Sequence, residues 1–125
     1  MPHPPAPEPV TALFRFASDT RAVAAGQTVF RAGDAGDLLY VVQQGEVELR
    51  VHDRLVAVMG PGGILGEMAL IDHRPRSATA IATVDSILVP VDETHFLRLV
   101  QQTPDFALHV MRVMADRLRK MDALD

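Results

Sequence analysis

All eight glycines of the chain fall between Gly26 and Gly66, and five of its nine prolines fall in residues 2–9. Glycine punctuates both helices and strands, so the stretch from Gly26 to Gly66 is cut into pieces too short for a long element. Those pieces, Gln27 to Arg31, Leu38 to Gln43, Val47 to His52 and Leu55 to Met59, are rich in apolar and β-branched residues. Val47, Leu49 and Val51 alternate with Glu46, Glu48 and Arg50, the two-residue period of a strand with one buried face. Ser77 to Thr83 and Ser86 to Val91 continue the pattern. Short strands with turn signals roughly every ten residues predict an antiparallel barrel or jelly roll over about residues 20–91.

Proline fixes φ and removes an amide donor, so residues 1–9 read as a disordered, proline-rich leader ahead of a single domain, residues 10–125. Phe14 and Phe16 point to a short segment packed onto the rest of that domain. After Val91 the period becomes helical. Asp92 reads as an N-cap with Glu93 in the first turn, and Phe96, Leu97 and Val100 place an apolar face on a helix over about 92–102. Thr103 as a cap and Pro104 at the first position start a second helix, about 104–123. Leu108, Met111, Ala115 and Leu118, widened by Val110 and Met114, form an apolar stripe on it, read as core or as a seam for a homodimer. The fold class is thus mainly β with C-terminal helices.

Composition narrows the function. Twelve basic against sixteen acidic residues give a net charge of −4, which repels polyanions, so no direct DNA binding is expected. No cysteine means no disulfide, thiolate metal site or cysteine nucleophile, and makes the cytoplasm the expected compartment. No run approaches the roughly 18 apolar residues of a membrane span.

Chemistry concentrates in Gly60-Pro61-Gly62-Gly63-Ile64-Leu65-Gly66-Glu67-Met68-Ala69-Leu70-Ile71, followed by Asp72-His73-Arg74-Pro75-Arg76-Ser77-Ala78-Thr79. A glycine-dense turn opens a very short helix, Glu67 to Ile71, whose first amides point outward as an anion site. Arg76 and Ser77, expected to begin a strand, offer a planar guanidinium fork and a hydroxyl. Ala69 and Ala78 are small enough for a ligand to approach the backbone. Glu67 weakens an anion site unless it accepts a hydrogen bond from another part of the ligand, such as a sugar hydroxyl.

The pair GEMALI and PRSATA resembles the phosphate-binding cassette of cyclic-nucleotide-binding domains of the Crp/Fnr and channel types. Ala25-Gly26-Gln27 to Phe30, then Gly33-Asp34-Ala35-Gly36-Asp37, then Gly45-Glu46-Val47, are similar to that family's opening strands and turns, and the likeness runs from about Ala22 to Leu118. The resemblance implies a double-stranded β-helix, a cupin-like β-roll with a short cassette helix. It also implies that Glu67 accepts the ribose 2′-hydroxyl, that Arg76 pairs with the cyclic phosphate, and that Gly66 permits the turn. The cassette segment includes Met68, amides near Ala69 and Ala78 bind phosphate oxygens, and Ser77 adds a hydroxyl. Family members with threonine at the position of Ser77 often favour guanine, so serine implies cAMP rather than cGMP. A C-terminal helix covers the base in this family, with Arg117 the candidate lid. The chain stops at Asp125 without the helix-turn-helix of the catabolite-activator type, and no hydroxyl residue between Leu108 and Leu124 stands ready to reach the base.

The expected function is therefore a small, non-enzymatic sensor that binds a cyclic nucleotide, needs no cofactor, and signals to an unidentified protein partner by moving its C-terminal helices. Two alternatives remain open. One is a scaffold that dimerises or senses another ligand. The other is a cupin-type metalloenzyme, against which His3, His52, His73, His95 and His109 lack a closely spaced His-x-His pair. Arg76 could also be a surface arginine paired with Glu67 or Asp72, and Glu67 an ordinary acid favoured by a helix dipole.

Overall fold

The computed structural model describes residues 12–123; the expected leader lies outside them. Eight short strands appear in chain order: β1 Arg21–Val23, β2 Thr28–Phe30, β3 Leu39–Gln44, β4 Val47–Val51, β5 Arg54–Met59, β6 Ile64–Leu65, β7 Thr79–Ala82 and β8 Ser86–Val91. They form two antiparallel four-stranded sheets, ordered β1-β8-β3-β6 and β2-β7-β4-β5, which is the expected β-roll. Among the described residues, helices α1 Glu67–Asp72, between β6 and β7, then α2 Glu93–Gln102 and α3 Asp105–Asp122 accompany the sheets.

The unbroken apolar run at the start of β3 has two faces to cover. Tyr40 and Val42 point between the sheets, with Phe30, Val47, Leu49, Met59 and Leu88. Leu39 and Val41 point outward to a second layer that holds Phe14, Leu70, Leu99, Phe106 and Val110. A strand buried on both sides cannot alternate, whereas β4, with Val47 and Leu49 inward and Glu48 and Arg50 half-buried, does. The β4–β5 hairpin turns on His52 and Asp53, both at positive φ (51° and 64°), as a two-residue turn matched to strand twist requires.

Several expectations need correction. Arg76 and Ser77 do not begin a strand; β7 starts at Thr79, because the backbone of Arg76 is tied instead to the loop before β3, donating to Asp34 O and accepting from Gly33 N, each at 2.8 Å. Thr103 does not cap α3 through its side chain; Pro104 takes the cap position and Asp105 the first helical one. On α2 it is Leu99 that is buried, while Leu97 faces solvent. On α3 the stripe of Leu108, Met111 and Leu118 is exposed, and Phe106, His109, Val110, Val113 and Arg117 face the roll. The helix carries two apolar faces, and the buried one hides its character behind a histidine and an arginine whose aromatic or aliphatic bodies pack.

Candidate functional site

Gly66 sits at φ 80°, ψ 11° immediately before α1, a left-handed conformation open to glycine at no steric cost. A Cβ there would also lie 2.5 Å from Arg76 Nη1, so two independent constraints fix this residue. The turn starts α1 so that Glu67, the acid of its first turn, points inward and is 2% exposed. Its partner comes from α3. Arg117 Nη1 donates to Glu67 Oε1 at 2.9 Å and Oε2 at 3.2 Å, and Nη2 donates to the carbonyl of Ile64. Arg117 itself is 1% exposed, so this is a buried ion pair joining the last helix to the cassette.

Arg76 is 7% exposed. It pairs with neither Glu67 nor Asp72: its Nη1 donates to the carbonyl of Gly66 at 3.0 Å, and its Nε has no hydrogen-bond partner among the described residues. Burial pulls its pKa down, opposed in order by Tyr40, Asp37, Glu67 and Asp34. A guanidinium starts so far above neutrality that it stays charged. A buried cation with an unused N–H is costly for a fold to keep, and therefore reads as a receptor for an anion.

Gly66, Glu67, Met68, Ala69, Arg76, Ser77, Ala78 and Arg117, all singled out from sequence, line one cavity. Ser77 is at its rim, its hydroxyl 3.7 Å from Met68 Sδ. Sequence reasoning missed Phe30, Leu49 and Met121, which complete the lining. Phe30 and Leu49 come from strands distant in sequence; Met121 was legible, one turn after Arg117 on the same helical face. The enclosed space is about 20 Å³, inside a concavity of about 320 Å³ that opens to solvent. No group of three or more His, Asp or Glu among the described residues could hold a metal ion.

The cyclic nucleotide-binding domain model matches residues 20–103 of the chain. The chain belongs to the cyclic nucleotide-binding domain family. It is 38% identical over 102 residues to the cyclic AMP receptor protein of Thermus thermophilus, spanning 78% of this chain and 47% of that protein. The crystal structure of the Thermus thermophilus catabolite activator protein superposes with a TM-score of 0.72 at 35% identity, covering 97% of this chain and 59% of the other. A structure reported under "A cyclic-GMP-dependent signalling pathway regulates bacterial phytopathogenesis" gives 0.69 at 33% identity, covering 88% and 89%. The chain thus spans about half the length of the curated activator it resembles.

Proposed function

We propose that the chain binds cAMP in preference to cGMP in the cavity between α1 and α3 and passes the signal on by repositioning α3. The observation that carries the reading is Arg76, a buried guanidinium with a spare donor, facing the same cavity as the buried carboxylate of Glu67. The cyclic phosphate would take the Arg76 donors, the amides near Ala69 and Ala78, and the Ser77 hydroxyl. The ribose 2′-hydroxyl would donate to Glu67. A carboxylate has about four lone-pair sites, so it can accept that hydroxyl while still holding Arg117.

Movement is a consequence of size. With about 20 Å³ of water-accessible space the cavity is tight for a nucleotide, and a shift of the end of α3 beyond Arg117, which carries Met121, would widen it. Ligand then biases α3 by its affinity difference between the two positions; a difference of about 3 kcal/mol changes their ratio by roughly a hundredfold or more. The output would be read by another protein contacting α3. Serine at position 77 and the likeness to a cyclic AMP receptor protein support cAMP over cGMP. No metal or cofactor takes part in this scheme.

A thermal-shift comparison of cAMP, cGMP and AMP tests the reading, because a ligand bound only by the folded state raises the melting temperature. The expected result is the largest rise with cAMP, a smaller one with cGMP and none with AMP. Equal curves for all three, without stabilisation, would contradict it.

A further inference from the structure

The geometry points to Phe30 as the positioning residue that keeps Arg76 oriented for phosphate without using up its donors, an inference that rests on the cyclic-nucleotide reading above. The Arg76 guanidinium carbon lies 4.3 Å above the centroid of the Phe30 ring. Both residues are nearly buried, Phe30 at 8% and Arg76 at 7% exposure, and both line the cavity. Burying a cation requires compensation. A carboxylate would supply it, but would occupy the N–H fork that a phosphate needs and would cancel the charge that attracts it. The negative face of an aromatic ring stabilises the cation from one side of its plane and leaves the N–H edge open.

The rest of the surroundings fix the same pose. Gly36 lets the backbone pack close to the guanidinium: a Cβ there would fall 2.3 Å from Nε. The Gly66 carbonyl takes one donor, and the two backbone hydrogen bonds to Gly33 and Asp34 anchor the residue at its root. Phe30 is itself held against Tyr40, ring centroids 6.3 Å apart. Arg76 is thereby held in one pose, with Nε a donor that has no partner among the described residues.

Site-specific replacement of Phe30 by monofluoro-, trifluoro- and pentafluorophenylalanine keeps the ring's shape while progressively removing its negative face. Calorimetric titration with cAMP should show affinity falling along the series, by ~2- to 30-fold at the pentafluoro end. The same series in an Arg76→Ala background should be flat, a coupling that a purely structural role of Phe30 does not produce. A flat series in the Arg76 protein, with the unmodified protein binding cAMP, overturns the role of Phe30 alone. Absence of binding by the unmodified protein overturns the cyclic-nucleotide reading and this inference with it.

Discussion

Arg76 and Glu67 were legible in the sequence because they lie close together along the chain: eight residues separate them, and the glycines between β5 and α1 announce the turn. Arg117 was visible as a cationic residue on the last helix, but not its partner, because no sequence periodicity links positions fifty residues apart. The structure joins it to Glu67 in a pair buried on both sides. Such a pair is worth little over an apolar substitute, yet breaking one half leaves a buried, uncompensated charge at a cost of about 3–5 kcal/mol. Arg117→Ala should therefore lower the unfolding free energy by about that amount in urea titration, while a Glu67→Met and Arg117→Met double variant recovers most of it. If single and double variants lose the same stability, the pair does not hold α3 to the cassette.

The elements divide in the same way. Glycine spacing located the strands of the roll, since each cut corresponds to a real turn, but the two-residue β6 and the three-residue β1 are too brief to carry a period. The facing of α3 is masked in the sequence because counting apolar residues favours Leu108, Met111 and Leu118, whereas the roll is met by a face that includes His109. Burial, then Arg112 and Arg117, push the His109 pKa down from its ordinary 6.5. The unfolded chain therefore takes up its proton first as pH falls, so stability is lost from about pH 6.5 downward and none of this effect is felt above it. Melting temperature should fall on acidification through this range, and His109→Gln should flatten that slope. An unchanged slope in the variant would place the acid sensitivity elsewhere.

At the scale of the molecule, two cores share one sheet. The inner core closes the roll, with Met121 of α3 packed against it, and the outer one seats α2 and α3 on the β1-β8-β3-β6 sheet. The fold class was readable because a glycine-cut strand region followed by two amphipathic helices leaves few ways to bury both. The cavity was not, because its walls come from β2, β4, α1, the loop before β7 and α3, which meet only in three dimensions.

The most direct measurement is calorimetric titration of cAMP into the wild-type protein and into folded Arg76→Ala. Loss of one member of a desolvated charge pair costs about 2–5 kcal/mol, so affinity should drop roughly thirty- to several-thousandfold in the variant. Equal affinities would contradict the central claim that this buried guanidinium is the phosphate receptor.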